Sequence, residues 1–337
     1  MLRIGIGPRH GARHGGCGSG PRQCLPHPLL RKLRVGIDLG GTKTEAVLMG
    51  AGSAILARER RPTPRDDYAG QIEVIAALVE RMEQAAGRVD LPVGIAHPGA
   101  ISPGSGLIKN ANSVCLNGRP LKGDIEARLK RAVRMANDAD CLAISEATDG
   151  AAAGAGSVFA VILGTGVGGG VVINRKLLSG PNAIAGEWGH NPLPWPDTEW
   201  GEVPGPRHWD GRCGAIEAWL SGPGLAADHL RMGGASLSAE GIATGAEARD
   251  AACMASLARY QHRLARALAT VINLLDPEVI VLGGGLSRIA SLYSSVPKLW
   301  GQWVFSDTVS TRLLPALHGD SSGVRGAAWL WPEPAKS

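Results

Sequence analysis

The sequence predicts an α/β protein whose two similar lobes enclose a cleft, and three observations carry that expectation. Strand-like and helix-like periodicities alternate along most of the chain, which is the pattern of α/β architectures. RVGIDLGGTKTEAVLM, from Arg34, and SVFAVILGTGVGGGVVINRKLL, from Ser157, both read as strand, glycine-rich turn and second strand. A later segment, EVIVLGGGLS, again runs a buried strand into glycines.

Taken in order, residues 1–33 follow neither a helical nor a strand period and lack the apolar core of a signal peptide. They predict a disordered basic extension or a start codon placed too early. The first hairpin follows, with Val35 and Ile37 alternating. Over 71–86, Ile72, Ile75, Val79, Met82 and Ala86 fall at helical spacing. LPVGIAHPGAIS is a strand ending in a His-Pro-Gly turn, and Ile125, Leu129 and Val133 predict a helix over 121–133. In the second half, Met254, Leu257, Leu264, Leu268, Val271 and Leu275 form a stripe opposite Arg259, Arg263 and Arg266. That helix should stop at Asp276-Pro277.

Composition narrows the function. The 337 residues are 44% apolar and 19% charged with a net charge of +5, a globular profile that excludes collagen, coiled coil and wholesale disorder. Six Lys/Arg and no acids lie in residues 1–33, so the remaining 304 residues carry 29 basic against 30 acidic groups. No nucleic-acid partner is expected of a fold so balanced. Cysteines 17, 24, 115, 141, 213 and 253 show no paired spacing, which points to a reducing, cytoplasmic location. The most apolar stretch, Ser157 to Ile173, is broken by glycines and too short to span a bilayer, so no membrane partner is expected.

The glycine turns are LGGTKTE (39–45), LGTGVGGG (163–170) and LGGGLS (282–287). Glycine lets backbone N–H groups wrap phosphate oxygens, and three such turns at strand ends favour a nucleotide ligand over ordinary hairpins. Gly164, Gly166 and Gly169 match GxGxxG, but they run into β-branched GVVIN instead of the helix a dinucleotide fold requires. Asp38, before the first turn, could hold hydrated Mg²⁺ against phosphates or simply start a turn. Asp138 in NDADC reads equally as a general base and as a helix N-cap. Glu187 and His190, three apart, could face one ligand, and Glu217 follows a glycine-rich loop, though by spacing alone each is more often structural.

Together DLGGTKTE, NDADC, LGTGVGGG, GEWGHNPLPW and DPEVIVLGGG, in this order between Arg34 and Trp331, resemble the ROK family of sugar kinases, members of the actin-like ATPase superfamily. TPRDDY, NANS with LNGRPL, DGAAAGA and HGDSSGVRGAAWLW look most like the bacterial fructokinase/mannokinase branch. The resemblance implies two RNase H-like lobes, 34–136 with a returning C-terminal helix at about 318–337, and 137–317. It implies ATP-dependent phosphorylation of a hexose at its terminal hydroxyl, with fructose first and mannose second. Glucose or an N-acetylhexosamine, or a sugar sensor with impaired catalysis, are the alternatives. Asp138 matches the catalytic base, while Asn112, Asn137, Glu187, His190 and Glu217 match sugar-binding positions. Asp38, Gly40, Gly41, Thr42, Gly164, Thr165 and Gly166 match phosphate and Mg²⁺ positions, and Gly283, Gly284 and Gly285 lie near the adenosine. A homodimer is expected.

Three departures stand out. Where the family has CxCGxxGCxE, with three cysteines and a preceding histidine on zinc, this chain has HWDGRCGAIE over 208–217. His190, His208, Asp210 and Cys213 could still form a four-ligand zinc site, though the altered spacing favours loss of the metal. The family's NDAN is NDAD here, placing Asp140 where it could raise the base's pKa. His97 replaces an aliphatic residue and is expected to be packed, without a role.

Overall fold

Gly36 and Gly94 have no side chain because a helix from the other end of the chain passes directly over them. A Cβ on Gly36 would lie 2.1 Å from the Val324 carbonyl oxygen, and one on Gly94 would lie 1.8 Å from that of Ala327. The computed structural model describes residues 32–331, so almost all of the expected extension lies outside the described residues.

In the first sheet, β1 (Arg34–Leu39) and β2 (Lys43–Met49) make the glycine-turned hairpin and β3 (Ile55–Pro62) pairs antiparallel with β2. Helix α1 (Tyr68–Ala86) starts where Asp67 accepts the Gly70 N–H at 2.9 Å and ends at Gly87, whose φ of 62° is left-handed. Strand β4 (Val93–His97) returns parallel to β1. The small ribbon of β5 (Ala100–Ile101) and β6 (Ile108–Lys109) follows it, then α2 (Leu121–Leu129) and β7 (Arg134–Asn137), parallel to β4. The order is β3-β2-β1-β4-β7. Helix α2 is four residues shorter than its spacing predicts: Lys130 turns left-handed (φ 55°), and Val133 is buried after the turn, its N–H held by Glu126.

The second half repeats the plan. Helix α3 (Asp138–Thr148) leads to the hairpin β8 (Ser157–Leu163) and β9 (Val167–Ile173), with β10 (Lys176–Leu177) at its edge. The strand β9 where a dinucleotide fold would start a helix agrees with the GVVIN reading. A long connection carries α4 (Ile216–Leu220), α5 (Gly222–Arg231), α6 (Ala239–Glu247) and α7 (Ala251–Leu275). Then come β11 (Val279–Gly283), α8 (Ser291–Leu299), β12 (Arg312–Pro315) and α9 (Ser322–Trp329). This sheet runs β10-β9-β8-β11-β12, an antiparallel hairpin followed by parallel strands, as in the first. Helix α9 lies between the first sheet and α3, where a Gly326 Cβ would strike the Cys141 carbonyl at 1.8 Å. Buried Glu146 ties α3 to this return, accepting from Ser322 Oγ at 2.8 Å and from the Leu317 N–H at 3.0 Å.

Each sheet packs its own apolar core, Val35, Ile37, Leu48, Ile75 and Leu78 in the first, Phe159, Val161, Leu264, Leu268 and Ile280 in the second. Helix α7 ends at the predicted place, with Asp276 left-handed before Pro277. The arginines opposite its apolar stripe do not face solvent: Arg259, Arg263 and Arg266 are all buried.

Candidate active site

The end of β7 and the start of α3 decide which carboxylate is free. Asn137 caps the helix, its side-chain oxygen accepting the Asp140 N–H at 2.6 Å, so the capping role read as an option for Asp138 falls one residue earlier. Asp138 is the first helical residue, with Oδ1 accepting the Ala139 N–H at 2.9 Å and the rest of its carboxylate open to a cavity of about 620 Å³. The crowding cleft walls push its pKa up, opposed by the backbone N–H groups.

That cavity also brings in Asn112, Asn137, Glu187, His190 and Glu217. His190 Nε2 and Glu187 Oε2 lie 3.7 Å apart on the 3-10 turn over 188–190. Burial raises Glu187, with Asp138 and Glu217 adding to the rise and His190 opposing it. Glu217 accepts the Val167 N–H on Oε2 at 2.8 Å, beside the second glycine turn. A Cβ on Gly166 would stand 2.7 Å from that oxygen, so a larger residue there would push the carboxylate aside.

The 164–166 turn joins this cavity to a second one of about 570 Å³. Gly166 lines the first, while Gly164 lines the second with Gly222, Pro223, Ala239, Gly285 and Arg288. Thr165 is exposed between them. Of the third turn's three glycines only Gly285 lines this cavity, beside Leu286. Gly283 is buried against Leu142, and Gly284 (φ 81°) passes over the Leu163 carbonyl. Asp38, Gly40, Gly41 and Thr42 sit on the β1–β2 hairpin outside the lining of both cavities. Burial, then the Asp138 and Glu45 charges, push Asp38 up to about 7.

The expected coupling of Asp140 to the base acts in the other direction. Asp140 itself is pushed up to about 7, by burial first, then by Glu187 and Asp138, whereas the rise at Asp138 comes from its crowded surroundings. His97 is packed, its Nδ1 3.1 Å from the Pro98 carbonyl oxygen, and burial lowers its pKa.

Of the four residues offered for zinc, His190, His208 and Asp210 gather within 4.8 Å of one another. Cys213 stays outside, exposed and bridged to Arg207 through the backbone. Trp209 and Arg212 also line the first cavity and carried no expectation. Trp209 is 64% exposed, donates from Nε1 to Glu217 Oε1 at 3.0 Å and meets His190 edge-on at 5.6 Å. A lone tryptophan in a loop without a period gives no sequence signal for such a place.

Two sheets of identical order around a carboxylate-floored polar cleft, with a glycine turn leading to a second cavity, define a two-lobed sugar kinase of the actin-like ATPase class. The chain belongs to the ROK family, whose model matches residues 34–334. It is 38% identical to the N-acetyl-D-glucosamine kinase of Vibrio cholerae serotype O1 over 299 residues, 88% of this chain and 98% of that one. The ROK hexokinase of Thermus thermophilus is similar with a TM-score of 0.78 at 28% identity, covering 88% of this chain and 96% of that one. A ROK family glucokinase from Streptomyces griseus, in complex with glucose and AMPPNP, has a TM-score of 0.70 at 28% identity over 88% and 98% of the two chains. These relatives carry the expectation of a sugar kinase but not its leaning toward the fructokinase/mannokinase branch. Among the described residues no helix is long and apolar enough to cross a membrane.

Proposed function

We propose that this chain transfers the γ-phosphoryl group of ATP to the terminal hydroxyl of N-acetyl-D-glucosamine. The observation that carries this reading is the meeting of Asp138 with Asn112, Glu187, His190 and Glu217 in one cavity, joined through the 164–166 turn to a second. The choice of sugar rests on likeness to the N-acetyl-D-glucosamine kinase along nearly all of that enzyme's length.

In this reading the sugar lies in the first cavity, with Asn112, Asn137, Glu187, His190 and Glu217 bonding its hydroxyls, and ATP enters as its magnesium complex with the adenosine in the second. Asp38 and Asp138 crowd negative charge at the hinge of the cleft, which suits the cation that arrives with the nucleotide. Asp138 takes the proton of the terminal hydroxyl as its oxygen bonds to the γ-phosphorus and the bond to the bridging oxygen breaks, releasing ADP. The raised carboxyl is a better proton acceptor than an ordinary aspartate. Backbone N–H groups of Gly41, Thr42, Thr165 and Gly166 stabilise phosphate charge, those of Gly40 and Gly164 being spent on closing the turns, since phosphoryl transfer needs positioning and electrostatics more than covalent help. The lobes divide near residue 137, with α9 returning to the first.

ADP release with MgATP should be measured against N-acetylglucosamine, glucose, mannose and fructose. We expect kcat/KM to be highest for N-acetylglucosamine, by about tenfold or more. A profile led by fructose would restore the first expectation. No turnover from folded, ATP-binding protein would favour the sensor reading.

A further inference from the structure

The loop that faces the sugar cavity contains the three residues that could gather round a metal, and their surroundings do not suit one. Asp210 is already saturated. Its Oδ2 accepts from Arg212 Nε at 2.9 Å and from a second guanidinium nitrogen at 2.6 Å, and its Oδ1 accepts the Arg212 backbone N–H at 3.0 Å. A structural zinc ion needs four ligands at about 2.0–2.3 Å. Cys213 does not join the gathering, and a dication bound to Asp210 would stand beside a guanidinium that cannot lose its charge.

The same groups close on themselves without an ion. His208, whose side chain is 2% exposed, lies between two carboxylates: its Nε2 donates to Glu217 Oε1 at 2.8 Å, and its Nδ1 stands 2.9 Å from Asp210 Oδ1 in a close contact that lacks hydrogen-bond geometry. The His208 N–H also donates to the Arg212 carbonyl at 2.7 Å, closing a turn round the pair. The far end of the chain is Glu217, whose other oxygen accepts the Val167 N–H beside the glycine turn.

We propose that Arg212, Asp210 and His208 form a metal-free brace that positions Glu217 and the edge of His190 for the sugar. His190 Nδ1 is 3.9 Å from Asp210 Oδ2, so the brace stands behind the histidine instead of ligating it. These three are positioning residues, and their role rests on the sugar-kinase reading above.

Metal analysis of protein purified without chelator should find zinc below about a tenth of an equivalent, and a full equivalent whose removal abolishes sugar binding would overturn the brace. Arg212→Met and Asp210→Asn should each raise KM for the sugar about tenfold, equivalent to about 1.4 kcal/mol, while KM for ATP stays within about twofold. Arg212→Lys, which keeps the charge but loses the bidentate fork, should fall between wild type and Arg212→Met. Equal changes in both KM values, or none, would sink the proposal. If Arg212→Met melts early, Asp210→Asn, which keeps the shape of the side chain, decides. A wild-type protein that is zinc-free but phosphorylates no hexose would break the kinase reading, whereas a zinc-bound, active wild type would break the brace alone.

Discussion

The long connection between β10 and α4 is pinned at two places by the same kinds of side chain, and the two pins differ in almost everything else. At the rear, Glu202 accepts from Arg263 Nε at 2.7 Å and from Arg266 at 2.8 Å, and Asp228 accepts from Arg259 and Arg263 at 3.0 Å. Arg266 also reaches the Trp195 carbonyl and Arg263 stacks on Trp219 at 4.3 Å. Both carboxylates are fully buried there, and although burial alone would raise Asp228, Arg263, Arg231 and Arg259 hold it below the ordinary range. At the front, Asp210 and Arg212 stay open to the cleft and only His208 is covered. Breaking a buried pair leaves a naked charge in low dielectric, while water compensates at an exposed one. The rear pin therefore sets whether the connection folds, and the front pin sets how the folded connection meets its ligand.

The sharpest separation of folding from function should come from the floor of the cleft. Asp138→Asn should lower kcat by about 10²- to 10⁴-fold and leave the melting temperature nearly unchanged, since Asp138 opens onto the cleft and the Asn137 cap is undisturbed. Steady-state kinetics beside a thermal melt tests this, and substantial residual turnover would remove Asp138 as the base. The rear pin should behave in the opposite way. Glu202→Gln leaves Arg263 and Arg266 underpaired, and should cost about 3–5 kcal/mol in urea unfolding with KM for the sugar unchanged in the folded fraction. A sugar KM that moved as much as for Arg212→Met would erase the distinction between the two pins.

What the sequence made legible follows from the range of each signal. The glycine turns, the end of α1 at Ala86 and the stop of α7 before Pro277 depend on a few adjacent residues and read correctly, while α1 begins three residues before the 71–86 spacing that predicts it. Two sheets of one order also showed through, because each half opens with the same local hairpin. The burial of the α7 arginines was not legible, because an apolar stripe opposite three cations says nothing of what covers the cations. Their partners, Glu202 and Asp228, lie 61 and 35 residues away from Arg263 and carry no periodic mark. Val133 misread because the left-handed turn at Lys130 is not encoded by a glycine. In the candidate site, Asp138 and the residues facing it were named from the family resemblance and were found around one cavity. Cys213 was misplaced because residue type alone suggested a ligand, and Trp209 and Arg212 were missed because their partners are set by the loop's path.

The smallest effect sharpens the comparison from the first turn of α3, at a charge with no counter-ion of the kind both pins possess. Asp140 Oδ1 is buried without a hydrogen-bond partner, and the group is pushed up to about 7 by burial, Glu187 and Asp138. A carboxyl whose pKa is raised on folding binds its proton more tightly in the native state than in the unfolded chain, where it titrates near 3.9. Below about pH 4 both states are protonated and the residue costs nothing. Between about pH 4 and pH 7 the unfolded state ionises first, so native stability drains away as pH rises, and above the folded pKa the loss is complete. Asp140→Asn removes the charge, so it should match wild type at about pH 4 and exceed it by about 1–2 kcal/mol at pH 8, allowing for water at this half-buried site. Urea midpoints across that range provide the test. A variant that gained equally at both ends would show that shape, and not an uncompensated charge, makes Asp140 costly.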